Sequence, residues 1–279
     1  MTTPARPDPI YIRDYPYNCT NRPSFPTSRI GTIIREDFEK NYDQYVKKAD
    51  IIFTYAKWFK DIPYELPAES VLPRWKNGFI PPIDGAMLYS TVASRNPRYY
   101  VECGSGNSTK FVSKAIADHS LKTKIISIDP TPRAEVDRLC DQIFRIPFEE
   151  MDLSFFSDLT SDDIFLIDGS HRSFTNSDVT VFFTEILPEL PASMVYAIHD
   201  VALPDEVYAE RYYNEQYLLA TYIIAGMMGD SLFFPTGFLS NHTTLLSQLE
   251  QRITTEYGVT IPMRNFAGFF WMQRAAKTE

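Results

Sequence analysis

Tyr99-Tyr100-Val101-Glu102-Cys103-Gly104-Ser105-Gly106-Asn107-Ser108-Thr109-Lys110 decides how the chain is read. A short β-prone run ends in an acid, and two glycines one residue apart follow it. Polar residues then lead into a helix with apolar periodicity at Phe111, Val112, Ala115 and Ile116. Strand, tight turn and helix start are the parts from which a parallel α/β sheet builds a nucleotide-binding crevice. Gly104 admits backbone angles closed to other residues, and Gly106 lets a ligand approach the main chain. Ser108 or Thr109 can cap the helix. Two other glycine-rich turns fail on spacing. A phosphate-gripping loop needs Gly before the Lys, and Lys110 follows Thr109; a dinucleotide fingerprint needs Gly or Ala where Thr109 stands.

Outward from this stretch, strands and helices alternate. Strands are expected at 124–129, 143–146, 164–168, 194–200, 232–234 and 266–272. Helices are expected at 134–140, 177–187, 206–228 and 243–253. Upstream, six prolines fall within the first 26 residues, so that segment reads as extended. The spacing of Phe38, Tyr42, Tyr45, Val46, Ala49, Ile52, Phe53 and Ala56 predicts one long helix over 36–59, ended by Pro63. A further helix is expected over 84–93. The division that follows is an extended and helical N-terminal cap, 1–82, and an α/β domain, 83–279.

Composition narrows the class. A hydrophobic fraction of 44% with 23% charged residues is that of a globular chain, and the net charge of -9 argues against a broad nucleic-acid or anionic-membrane surface. No apolar run approaches the ~20 residues of a membrane span, and the N-terminus has no apolar signal core. Cys19, Cys103 and Cys140 are too widely spaced for a disulfide framework or a zinc knuckle. A soluble, cytoplasmic protein without nucleic-acid or membrane partners is expected.

Four carboxylates stand where strands end: Glu102, Asp129, Asp168 and Asp200. Ligands of an open parallel sheet bind beyond those ends. Asp129 lies 25 residues after Gly104 and can accept hydrogen bonds from both hydroxyls of a ribose. The second informative stretch is Asp168-Gly169-Ser170-His171-Arg172-Ser173-Phe174, followed by His199-Asp200 and Tyr213-Asn214-Glu215-Gln216-Tyr217. Tyr208, Tyr212, Tyr213, Tyr217 and Tyr222 read as core and lid packing before they read as a sugar platform.

Together the glycine turn, the Asp-Gly-x-His sequence and the strand order resemble class I S-adenosylmethionine (SAM)-dependent methyltransferases. The subgroup they are most similar to is that of macrolide-sugar, aminocoumarin-sugar and rhamnosyl O-methyltransferases. The resemblance covers about residues 75–273 and does not reach the N-terminal segment. It implies a Rossmann-like, seven-stranded, mostly parallel α/β sheet with helices on both faces, its last strand antiparallel at the edge, plus the N-terminal helical extension. It implies SAM held by Glu102, Gly104, Ser105, Gly106, Asn107, Ser108, Asp129 and Asp168. A carboxylate at the Asp168 position binds magnesium in the resembled enzymes, and a nearby His or Asp is the base. Here Asp168 and His171 are the expected catalytic pair.

The chemistry fits. A sulfonium methyl is already electrophilic, so the barrier lies in aligning an acceptor and removing its proton. An alcohol needs a base, a metal, or both at neutral pH. If the strands ending at Asp168 and Asp200 are neighbours, both acids can converge on one divalent cation, and His171 can take the proton. Relatives commonly carry two acids where this chain has His199-Asp200. Adjacent strand residues point to opposite faces, so only one of the pair need enter the site. If His199 enters too, the set Asp168, His199 and Asp200 suits manganese, iron or zinc as well as magnesium; with no metal, His171 works alone. The expected partner is a small-molecule or sugar acceptor, with a homodimer left open. Two rivals are a catalytically silent protein that keeps the fold, and a nicotinamide-dependent oxidoreductase, which Thr109 disfavours.

Overall fold

The computed structural model describes residues 25–132, 135–206, 211, 213–263 and 268–276. In chain order the elements begin with α1 (Arg29–Lys40), α2 (Tyr42–Tyr55) and α3 (Pro82–Arg95). Then come β1 (Tyr99–Cys103), α4 (Asn107–His119), β2 (Lys124–Ile128), β3 (Gln142–Phe144), α5 (Ser154–Ser157) and β4 (Ile164–Ile167). α6 (Asp178–Val181), β5 (Val195–Ile198), α7 (Glu215–Ile224), β6 (Ser231–Pro235), α8 (Thr236–Leu239), α9 (Thr243–Tyr257) and β7 (Phe270–Gln273) complete the chain.

The expected single helix over 36–59 is instead two. α1 starts earlier, capped by Ser28, whose hydroxyl accepts the Gly31 N–H at 3.1 Å. It stops at Asn41, whose side-chain amide donates to the Asp37 carbonyl at 2.8 Å and so competes with the helical ladder. The buried faces of the two helices carry Ile34, Phe38, Tyr45, Ala49 and Ile52, and they join the core that the sheet and α3 share. α3 enters through Pro82, whose missing N–H costs nothing in a first turn.

The sheet order is β3-β2-β1-β4-β5-β7-β6. β1 to β5 run parallel, and β7 runs antiparallel to both neighbours. This confirms the seven-stranded, Rossmann-like α/β fold and its antiparallel last strand, but corrects that strand's position. β7 lies between β5 and β6, and β6 takes the edge. The residues explain it: Phe270, Trp271 and Met272 are wholly buried, an apolar run that suits a strand with two partners. Ser231 at the start of β6 is exposed.

Strand register places the site. Cys103 pairs with Ile128 and with Ile167, and Ile167 pairs with Ile198. The next residue on each strand, namely Gly104, Asp129, Asp168 and His199, therefore falls in one row along the carboxyl tips, across the β1/β4 point where strand order reverses.

Three further expectations change. The helix over 177–187 keeps only one α turn before widening to a π turn at 182–186 and a 3₁₀ turn at 187–189, where Pro188 has no N–H to donate backward. The helix over 206–228 reduces to α7, which Asn214 precedes and Gly226, at φ 88°, follows; residues 207–210 and Tyr212 lie outside the described residues. Of 134–140 only a 3₁₀ turn at Asp137–Leu139 is helical, and residue 134 is not described. Among the described residues no helix is long and apolar enough to cross a membrane.

Gly104 has φ +83°, and a Cβ there would lie 1.9 Å from the Asp168 carbonyl oxygen. Gly104→Ala is expected to lower folding stability by ~2 kcal/mol or more, read as a shift of the urea midpoint. An unshifted midpoint would mean that the turn relaxes freely.

Candidate active site

The tips of β1, β2 and β4 open on a crevice of about 570 Å³. On one wall the glycine turn presents Gly104, Ser105, Gly106, Asn107 and Ser108. Gly106 faces open space, since a Cβ there would meet nothing within 4 Å. Its N–H donates to the Thr109 hydroxyl at 3.0 Å, closing the first turn of α4. Asp129 also lines the crevice; its Oδ2 accepts the Ser105 N–H at 2.8 Å and its Oδ1 the Thr131 N–H at 2.7 Å. A carboxylate offers about four acceptor sites, so after these bonds Asp129 retains capacity for a pair of hydroxyls. Pro147 and Phe148 border the same space.

Glu102, expected among the cofactor ligands, is placed differently. It is wholly buried and does not line the crevice. Its carboxylate accepts from the hydroxyls of Thr109, Ser108 at 2.9 Å and Tyr100 at 3.1 Å. Burial pushes its pKa up to about 7, against the pull of those hydroxyls. Glu102 staples the helix start to β1; it shapes the turn rather than touching what binds there.

Beside the glycine turn, acids and imidazoles converge at the tips of β4 and β5. Asp168, His199 and Asp200 each offer a ligand atom, all within 4.8 Å of one another. His199 Nδ1 is 3.1 Å from Asp168 Oδ1 and 3.7 Å from Asp200 Oδ1. The alternation argument that would admit only one of His199 and Asp200 does not apply, because β5 ends at Ile198 and Asp200 turns back at φ +54°. His171, also left-handed at φ +59°, points Nε2 into the same cluster, 3.4 Å from Asp168 and 3.5 Å from Asp200. Non-glycine residues in this region cost of order 1–3 kcal/mol each and persist where the surroundings force them.

Three residues of the site escaped the sequence. Glu215 is buried and its Oε2 lies 2.8 Å from His171 Nδ1, fixing the ring so that Nε2 faces the acids. Asp84 is buried with Oδ2 3.6 Å from His199 Nε2, an atom that otherwise has no hydrogen-bond partner. Asp178 accepts the Ser170 N–H at 2.6 Å and the Ser170 hydroxyl at 2.5 Å, tying the loop after β4 to α6. A signal existed for two of them. Glu215 stands four residues before Leu219 and eight before Ile223, and Asp84 three before Met87 and four before Leu88, so each acid sits on a buried helical stripe.

The electrostatics are those of a cluster that wants positive charge. Burial alone would raise the Asp168 pKa, but the His199 and His171 rings outweigh it and hold this carboxyl well below the usual range. Burial likewise disfavours charged imidazoles, yet Asp168 and Glu215 raise His171 to about 10, and Asp168 and Asp200 raise His199 well above the ordinary value. The donor set of one imidazole and two carboxylates is one that divalent metals accept. Asp84 behind His199 is the outer carboxylate that orients a ligating ring.

The sequence of this region matches a known family. Residues 101–201, from β1 to just past β5, fit the family model described as "Methyltransferase domain". The match spans the glycine turn, Asp129, Asp168, His171 and the His199-Asp200 pair. Among solved structures it is similar to cofactor-bound Rv0187 from MTB, at 11% identity over 69% of this chain and 80% of that one, with a TM-score of 0.41. It is similar to the branched-chain polyamine synthase from Thermus thermophilus at 10% identity, over 82% of this chain and 65% of that one, TM-score 0.41. SAH-bound Podospora anserina methyltransferase PaMTH1 is similar at 13% identity, over 87% and 97%, TM-score 0.40. No curated protein matches the sequence.

Two outcomes test this geometry. Asp129→Ala should weaken SAM binding about tenfold or more by calorimetry, as expected for lost hydrogen bonds to a charged group; undiminished affinity would take Asp129 out of the cofactor site. For His171 the folded pKa lies above the unfolded one. Its stabilisation is therefore complete below about pH 6.5 and is lost as pH rises through about 10. With chelator present, unfolding free energy should fall across that window, and His171→Gln should flatten the fall.

Proposed function

We propose that the protein is a metal-assisted O-methyltransferase that transfers the SAM methyl group to a hydroxyl of a sugar or glycosylated small molecule. The observation that carries this reading is the convergence of Asp168, His199 and Asp200, with His171 beside them, next to the glycine turn at the strand tips that border the crevice. Gly104 to Ser108 and Asp129 would hold the cofactor beside the row of strand tips. Asp168, His199 and Asp200 would hold the cation. The entry of His199 favours manganese or iron over magnesium, which prefers oxygen alone.

A bound divalent cation supplies positive charge that orients an acceptor hydroxyl and lowers its pKa. In that state Asp168 and Asp200 are engaged elsewhere, which withdraws two of the contacts that keep His171 protonated through Nε2. Glu215 still holds Nδ1, so Nε2 is the atom that receives the hydroxyl proton. Aromatic rings stand near the crevice. Tyr213 packs on the His171 ring at 4.4 Å between centroids, and Phe79, 56% exposed, lines the crevice. Such surfaces suit the faces of a pyranose.

The reading is tested with SAM and a panel of glycosylated acceptors. Turnover should disappear with chelator and return with manganese or magnesium. His171→Ala should cost more than tenfold in turnover while SAM binding survives, and Asp168→Asn should abolish metal-dependent turnover. An unchanged rate removes His171 from the mechanism. Binding of SAM without transfer to any hydroxyl would instead favour a catalytically silent protein.

A further inference from the structure

The crevice is not the only concavity. A second one, of about 230 Å³, lies at the opposite end of the sheet, where α2 and the end of α3 meet the start of β5 and the end of β7. Ile51, Met87, Val195 and Phe233 give it an apolar side, and Thr91, Ser94 and Gln273 line it as well. Its rim carries three cations, Lys47, Lys48 and Arg95, and none of the described residues lining it is acidic.

In a chain of net charge -9 such a grouping runs against the average. Neither lysine is ion-paired with a described carboxylate. Lys48 Nζ instead lies 5.7 Å from the centre of the Phe233 ring, holding its charge over the apolar floor. Arg95 makes one long bond, to the Ser161 carbonyl at 3.5 Å, and Asp162 is the acid that bears on it. Thr91 also lines the cavity; its hydroxyl is buried and has no partner. Among the described residues none of the three forms a salt bridge, so an anion bound at the rim would gain attraction from Lys47, Lys48 and Arg95 together. The apolar side chains add burial for a non-polar body.

We infer that this cavity binds a small organic anion, with an oxyanion head among Lys47, Lys48 and Arg95 and a short apolar body against Ile51, Met87 and Phe233. It is distinct from the crevice. β5 begins at Val195 in this cavity, while His199 and Asp200 follow its far end.

Sodium octanoate is the probe, with octanol as its uncharged counterpart, in calorimetric titration of the full chain at low salt. Octanoate should bind at least tenfold more tightly than octanol and should weaken as salt screens the rim. The triple variant Lys47→Ala/Lys48→Ala/Arg95→Ala should lose about tenfold in octanoate affinity, the sum expected of three exposed ion pairs. Phe233→Ala should weaken it separately, and Asp129→Ala in the crevice should leave it unchanged. The cations are on the surface, so circular dichroism should report the triple variant as folded. No octanoate binding, equal binding of octanol, an unaffected triple variant or an effect of Asp129→Ala would each overturn the assignment.

Discussion

The approach of the Asp168 carbonyl to Gly104 is the constraint from which the site is built. Two parallel strands can bring their tips this close only if one of them lacks a side chain at the point of contact. A Cβ at Gly104 would sit 1.9 Å from that oxygen, far inside any tolerable contact. The Asp168 N–H meanwhile donates to the Cys103 carbonyl at 2.8 Å, so both backbone groups of Asp168 are held against β1. Its side chain is thereby fixed beside the glycine turn. Gly169 repeats the device one residue on: a Cβ there would lie 2.1 Å from Asp178 Oδ2, the atom that anchors the Ser170 loop. Gly104 lets backbone lie against backbone, and Gly169 leaves room for the Asp178 carboxylate, so the turn and the Asp168 loop share one wall.

Charge then dictates what this wall can hold. Asp168, Asp200 and Glu215 crowd two imidazoles, and the cluster balances itself by keeping those rings protonated. A protonated His171 is an acid, not a base. Asp168 and Glu215 are the acids that load the ring. Glu215 holds Nδ1, which keeps Nε2 aimed at the cluster. The charge of His171 is therefore tied to that of its neighbours, and the ring has little freedom to escape that coupling because it is 4% exposed.

Much of this was legible in the chain, for identifiable reasons. Gly104, Asp129 and Asp168 could be placed because strand register is periodic and each follows an unbroken β-prone run. The break at Asn41 is hidden because apolar spacing continues through it, while Asn41 leaves helical angles at φ -95°, ψ 2° and its side chain adds a second bond to the Asp37 carbonyl. Glu102 was assigned to the cofactor because a strand-end acid resembles a ligand until the hydroxyls of Thr109 and Ser108 are seen to claim it. Glu215 and Asp84 reach the site from helices distant in sequence. Spacing marks them as buried acids but does not say which histidine each will meet.

The position of β7 carries the last step. As an edge strand it would contact only β6, but between β5 and β6 it lies along the very strand whose end bears His199 and Asp200. The chain entering β7 then does two things. The Gly268 carbonyl accepts the Val201 N–H at 3.0 Å, which pins the turn just after Asp200. The Gly268 N–H donates to Asp84 Oδ2 at 2.9 Å, which holds the carboxylate behind His199. A Cβ at Gly268 would press on the Asp200 backbone at 3.1 Å, so the two backbones pack closely here. Inserting an antiparallel strand next to β5 thus braces both residues of the His199-Asp200 pair, from opposite sides, through one residue. With Asp200 so braced in the left-handed region, the strand alternation that would have sent it to the other face of the sheet is overridden. His199 and Asp200 can then act at the same point as Asp168.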